Sequence, residues 1–361
     1  MSSANQIRFL GVIIFCLGSA AAARAEKIVL VAGGGEGGDG GPAREAKLQM
    51  PFAVDFDRNG NLYLAEFIGQ RVRKIDDKGI LSIVAGTGEK GYGGDDGPAA
   101  KAKFDSIHSL VVVPNGDLFI ADSFNKRLRK IDGKTGEIRT IAGTGEKGFS
   151  GDGGPAIKAQ FGDIYCAALD AKGEKLYLAD LDNRRIRVLD LGSGLVETVA
   201  GNGEKGVPRD GAEARKAPLV DPRAVTVDAK GNIYILERGG HALRVVDAEG
   251  KIRTVAGTGK AGFAGDGGDA LQAQFNGPKH LCVDRNGDVL IADTENHVIR
   301  KYLPREGKIV RIAGTGRAGK AGLDGPPLKA ELNQPHGVNA RPDGTIYISD
   351  SSNNRVLKIE P

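Results

Sequence analysis

Three observations predict an all-β fold, a six-bladed β-propeller of four-stranded antiparallel blades closed by the N-terminal strand pairing into the C-terminal blade. The first is a glycine pattern found six times: GGGEGG from Gly33, GTGEKG from Gly86 and Gly143, GNGEKG from Gly201, GTGKAG from Gly257 and GTGRAG from Gly314. The second is a strand-like marker: GNLYLAE at 60–66, GDLFIAD at 116–122, KLYLAD at 175–180, GNIYILE at 231–237, GDVLIAD at 287–293 and GTIYISD at 344–350. Its closing acids, Glu66, Asp122, Asp180, Glu237, Asp293 and Asp350, recur every 56–58 residues. The third is that each repeat carries four strand signals, in the second repeat HSLVVV (108–113), DLFIAD (117–122), RLRKID (127–132) and EIRTIAG (137–143).

Each element has a physical reason. Pro-Asn-Gly at 114–116 joins the first two strands of its repeat, and Asn-Gly or Asp-Gly pairs recur at 59–60, 286–287 and 343–344. Such pairs favour tight hairpins. The second strand is apolar on both faces, as in Leu62, Tyr63, Leu64 and Ala65, so it needs a sheet stacked on either side, as in propeller blades. The chain ends on a third strand, NNRVLKIEP, while EKIVLVAG at 26–33 matches a fourth. Pairing the two hides open sheet edges. The GTGEKG runs also satisfy the G-x-G-x-x-G dinucleotide pattern, but that fingerprint occurs once and opens a helix. Here the pattern is periodic and the next regular segment is another strand, so the glycines are read as turn residues.

The sequence has 361 residues, with 55 Gly and no Trp. Arg8, the apolar run FLGVIIFCLGSAAAA and the Ala23-Arg24-Ala25 site read as a signal peptide over 1–25. This divides the chain into that segment and a propeller over 26–361, and predicts export to the periplasm or the extracellular space. Phe15 before Cys16 is too bulky for a lipoprotein site. Without Arg8 and Arg24 the chain holds 48 basic and 46 acidic residues. That balance gives no long-range field for nucleic acid or an anionic membrane, and no membrane span is expected after cleavage. Cys166 and Cys282 lie in strand-like runs and read as small buried hydrophobes.

These residues resemble the NHL-repeat family, in the elaborated form of exported bacterial proteins and of teneurins. The pattern appears as Pro335-His336-Gly337-Val338, residues 60–66 and Asn354-Arg355, with VAGTG and GDGGPA as the elaboration. The resemblance implies the six-bladed fold and, for function, a range: RNA-binding modules, adhesion modules, sensor domains and a zinc-dependent amidating lyase. Gluconolactonase-type propellers are a further comparison, but no set of channel acids and Asn matching theirs is found here.

Alternating strand direction gathers the long loops, the acids ending the second strands and the starts of the first strands on one face, and leaves the short turns on the other. In each loop a Pro followed by spaced Ala residues, as at Pro98–Ala102, predicts a one-turn helix. The loop acids Asp39, Asp95, Asp152, Asp266, Asp210 and Asp324 read as turn stabilisers, with calcium as the alternative. The strand-ending acids are expected to accept N–H bonds from the following turn and to pair with Arg71, Arg127, Arg185 and Arg355, each five residues on.

The residue at the mouth of each first strand varies: Phe52, His108, Tyr165, Arg223, Lys279 and His336, with His280 one step out of register. Folding of a repeat needs no such variety, so this ring around the central channel is the candidate ligand-binding site. In the amidating lyase three histidines bind the channel zinc; here His108, His336 and His280 are the weak metal candidates, and no cofactor is predicted, zinc or calcium being the alternatives. Arg223, Lys279 and the histidines equally suit a carboxylate or phosphate. Catalytic residues are unassigned, since no nucleophile constellation stands out, and the lack of Trp weighs against a lectin. The expectation is a monomeric, non-enzymatic scaffold for a protein, peptide or small anionic ligand; a metal-dependent lyase or hydrolase at the channel mouth is the alternative.

Overall fold

The computed structural model describes residues 26–360; the signal segment expected over 1–25 lies outside the described residues. Six antiparallel sheets make six blades: blade 1 over 51–85, blade 2 over 107–142, blade 3 over 164–200, blade 4 over 222–256, blade 5 over 280–313, and blade 6 over 337–360 with 27–32. In blades 1 to 5 the four long strands pair in chain order from the axis outward. The innermost strands neighbour one another cyclically, blade 6 against blade 1 included. In blade 6 the outer strand is Lys27–Ala32, antiparallel to Arg355–Glu360 with Lys27 opposite Glu360 and Leu30 opposite Leu357. The second strands are largely buried, Leu118–Asp122 and Val289–Asp293 at every position, with Tyr63 in blade 1 and Lys175 and Tyr177 in blade 3 reaching solvent. Burial of both faces by adjoining blades is the hydrophobic term that holds the ring.

Among the described residues helix is limited to single 3₁₀ turns, and six of them are the predicted loop turns, such as Ala99–Lys101 and Ala156–Lys158. The loops do more than connect. Each runs back along the outer edge of the next blade and bonds to its fourth strand: Asp96 N to Ile138 O, Gly153 N to Val196 O, Gly211 N to Ile252 O, Gly267 N to Ile309 O, and Asp324 N to Ile28 O at 2.7–2.8 Å. In blades 2 and 3 Gly97-Pro98 and Gly154-Pro155 thereby form a fifth, two-residue strand. Proline offers no N–H to a further partner, so the edge is closed to pairing.

The first glycine of each repeated pattern is explained at Gly143. It has φ +92°, and a Cβ there would overlap the Lys126 carbonyl at the head of the third strand.

The strand-ending acids depart from expectation. Their backbone donors lie before the first strand, not in the following turn: Asp105 N to Asp122 and Asn276 N to Asp293, both at 2.8 Å, and Asn333 N to Asp350 at 2.7 Å. The following turn instead contributes a side chain, as Asn125 Nδ2 does to Asp122 at 2.9 Å. Only Arg355 pairs at the predicted spacing of five, with Asp350 at 2.6 Å. In blades 1, 2, 4 and 5 the acid faces the arginine seven residues on: Glu66–Arg73, Asp122–Arg129, Glu237–Arg244 and Asp293–Arg300. The reason is the pleat. Both arginines of R-x-R share a face, but the second points into the blade interior, while Arg127 and Arg185 stand at the strand start and donate to the Thr144 and Asn202 carbonyls.

Candidate functional site

Four strands and two positions just before a strand, Lys279 and His336, bring the six predicted mouth residues together, and a shared device aims them. In blades 1 to 4 the ladder between the first and second strands skips one residue, and the skipped residues are Phe52, His108, Tyr165 and Arg223. Blades 5 and 6 repeat the geometry: Lys279 N donates to Ala292 O while His280 also faces Ala292, and His336 N donates to Ser349 O while Gly337 also faces Ser349. Each predicted residue is thus the extra residue of a β-bulge, freed from pairing and turned toward the axis.

The side chains form a continuous arc. His336 stacks on Phe52 with centroids 3.9 Å apart, Phe52 meets His108 edge-on at 5.4 Å, and His108 meets Tyr165 at 4.3 Å. The Arg223 guanidinium lies 4.1 Å over the Tyr165 ring. Phe52, His108, Arg223 and His336 are buried, whereas Tyr165 and Lys279 are partly exposed. A second tier stands in the connections after the strand-ending acids. Phe67 stacks on Phe52 at 4.4 Å and Phe124 lies 5.6 Å from His108, while across the mouth Arg238 pairs with Asp221 and Lys279 with Glu295, both at 2.8 Å. Sequence reasoning missed this tier. Its signal was present: the one or two positions after the acid also vary between repeats, as Phe67, Phe124, Arg238 and Glu295. The mouth has an aromatic side over blades 1 to 3 and a charged side over blades 4 and 5.

Electrostatics follow from burial. Desolvation, then the positive charge of Arg223, holds His108 well below the usual histidine range; desolvation, then Lys279 and Arg223, does the same to His336. Both are neutral, with Nδ1 donating to the Ser106 and Gln334 carbonyls at 3.0 Å. His280, pushed down to about 4 chiefly by burial, accepts from Val338 N of the next blade at 3.5 Å. It is a stitch between innermost strands, as Ser109 is to Ala167 and Cys166 to Val225.

Among the described residues no three His, Cys, Asp or Glu side chains group as a metal site. The loop acids Asp95, Asp152 and Asp266 each face a buried guanidinium, of Arg129, Arg187 and Arg300, at 2.6–2.8 Å. At these three positions the partner of the loop acid is a guanidinium. Cys166 and Cys282 are buried thiols. The opposite face is not featureless: a recess of about 590 Å³ there is lined by Asp55, Arg58, Val112 and Arg341.

Known proteins share these features. Residues 156–264 match the teneurin NHL domain, and 275–302 and 332–359 match the NHL repeat. The chain is 26% identical over 289 residues to Protein SUPPRESSOR OF QUENCHING 1, chloroplastic, of Arabidopsis thaliana, covering 77% of this chain and 27% of that protein. It is 30% identical over 304 residues to NHL repeat-containing protein 2 of Bos taurus, covering 75% of this chain and 41% of that one. The chain therefore spans well under half the length of these relatives. Among solved structures, an auxiliary nutrient binding protein from Bacteroides ovatus superposes with a TM-score of 0.67 at 18% identity, covering 93% of this chain and 77% of that one. At that identity the likeness is one of fold. Among the described residues no helix is long and apolar enough to cross a membrane.

Proposed function

We propose, from the premise that this chain is an NHL-repeat six-bladed β-propeller, that it is a non-enzymatic binding module whose loop-rich face engages a protein, a peptide or a small anionic ligand. One observation carries the reading. The bulge at each blade is the same backbone device, yet it holds Phe52, His108, Tyr165, Arg223, Lys279 and His336, no blade matching its neighbour. Uniform backbone with varied side chains at one mouth is the signature of a surface fitted to something outside the fold. The Bacteroides ovatus neighbour, a nutrient binding protein by name, agrees with this reading. Export and a monomeric state belong to the proposal too; export rests on residues 1–25, since a relative named chloroplastic carries similar repeats.

The test is a thermal-shift screen of the purified protein against peptides and small organic acids. Hits lost in Tyr165→Ala and Phe67→Ala but kept in Arg58→Ala, on the opposite face, support the module. Hits indifferent to the mouth, or consumed by the protein, overturn it. The metal-dependent lyase or hydrolase takes its place if the protein carries stoichiometric zinc that a His108→Ala/His336→Ala double variant loses.

A further inference from the structure

Seven arginines are buried among the described residues, and six of them have a carboxylate within 4 Å: Arg73, Arg129, Arg187, Arg244, Arg300 and Arg355. Arg223 is the seventh. It is 4% exposed and lies within ion-pair reach of no acid among the described residues. Its Nε has no hydrogen-bond partner, and its one hydrogen bond runs from Nη1 to the Tyr165 carbonyl at a long 3.4 Å. The nearby acids are engaged elsewhere: Asp221 with Arg238 and Glu295 with Lys279, both at 2.8 Å. The ionised groups that reach it through space are Arg238 and Asp221, which already pair with each other, while His108, His280 and His336 stand close enough to feel its charge.

A guanidinium withdrawn from water without a counter-ion is costly to the free protein, and that cost is recovered only when an anion arrives. Its planar fork matches a carboxylate in two parallel bonds. The face of Arg223 rests on Tyr165, and beyond Tyr165 the wall continues as His108, Phe124, Phe52 and Phe67. The geometry points to Arg223 as the anchor of a ligand that carries a carboxylate on a flat apolar body, the carboxylate on the guanidinium and the body on the aromatic wall. This rests on the binding-module reading and specifies its ligand chemistry. A peptide ending in an aromatic residue and a free aromatic acid share that chemistry.

Calorimetric titration of the full chain tests it with three probes: N-acetylphenylalanine, its C-terminal amide and benzoate. The acid is expected to bind about tenfold or more tighter than the amide, the loss expected when a charge-assisted pair is removed. Arg223→Met is expected to erase that difference while melting no lower than the wild-type protein, because it deletes an unpaired buried charge. Tighter binding of N-acetylphenylalanine than of benzoate identifies a peptide end; the reverse identifies a free acid. Equal binding of acid and amide overturns the assignment while leaving a binding module in place, provided Tyr165→Ala weakens both. No binding by any probe overturns it, as does an Arg223→Met variant that melts lower or fails to fold, since Arg223 then serves the fold.

Discussion

At the scale of single residues, two buried arginines carry opposite expectations. Arg300 is fully buried and satisfied: Asp266 at 2.7 Å, the Gln274 and Ala264 carbonyls at 2.7 Å, Asp293 at 3.4 Å, and Phe275 beneath it. Arg300→Met strands the buried Asp293 and is expected to cost about 3–5 kcal/mol in denaturant unfolding. A loss below about 1 kcal/mol would show that the network does not hold the loop to the blade. Arg223 has no carboxylate partner to strand, so its loss carries no comparable penalty. Asp180 gives a pH-dependent counterpart. It is fully buried, and desolvation, opposed by Asn183 and Gly162 N, raises its carboxyl to about 7. Its unfolded value is near 3.9, so between about pH 4 and 7 the native state holds the proton that the unfolded state has released. Its stabilising contribution is therefore lost as pH rises through that window. Asp180→Asn does not titrate and is expected to gain on the wild-type protein from pH 4 to 7, by about 4 kcal/mol at most. A stability difference flat in pH would contradict the burial argument.

At the scale of elements, the glycine pattern and the bulge show what a sequence reveals and what it hides. Gly143 and Gly136 both have positive φ, at +92° and +73°, but a Cβ on Gly143 would meet the Lys126 carbonyl whereas one on Gly136 meets nothing within 4 Å. Gly136→Ala is expected to cost about 1 kcal/mol for the left-handed backbone alone. Gly143→Ala adds the collision and is expected to cost clearly more; equal chemical-denaturation midpoints would show that the close approach relaxes freely. The fold was legible because such constraints recur in every repeat, and six copies turn a weak turn signal into a period. The mouth ring was legible for the converse reason, since it is where repetition fails. The bulge was not legible. One extra residue at the start of a strand alters neither the apolar run nor the repeat length, and its effect, turning His108 or Arg223 inward, depends on which carbonyl accepts which N–H. The acid–arginine pairing was misread at Arg71 and Arg127 for a related reason. R-x-R places two cations on one strand face, and only depth within the blade decides which reaches the acid.

At the scale of the whole molecule, the ring has one seam, where the first and last described strands meet. Lys27–Ala32 fills the outer position of blade 6, pairing with Arg355–Glu360, while the loop before that blade bonds over it through Asp324 N to Ile28 O at 2.8 Å and Ile28 N to Gly325 O at 3.0 Å. Ile28 is fully buried in the cluster that holds Leu357, Ile348 and Val338. Removing residues 26–33 therefore uncovers the third strand's edge, the apolar face beneath it and the inner edge of the loop in one step. It leaves the first and last blades joined only along their inner strands, where Asn339 Nδ2 donates to the Val54 carbonyl at 3.0 Å and Ser351 Oγ to the Pro51 carbonyl at 2.6 Å. Domain stabilities amount to only about 5–15 kcal/mol, so a loss of this size is expected to abolish the cooperative melt or lower it sharply. A peptide of residues 26–33 supplied in excess is expected to restore part of it, by adding a strand to an open edge. The mouth lies on the axis that this seam closes, so ligand binding there should fall with the melt and return with the peptide. Unchanged melting after the deletion would mean that the inner strands alone close the ring. Blade 6 would then be an ordinary three-stranded sheet, and the mouth would not depend on the seam at all.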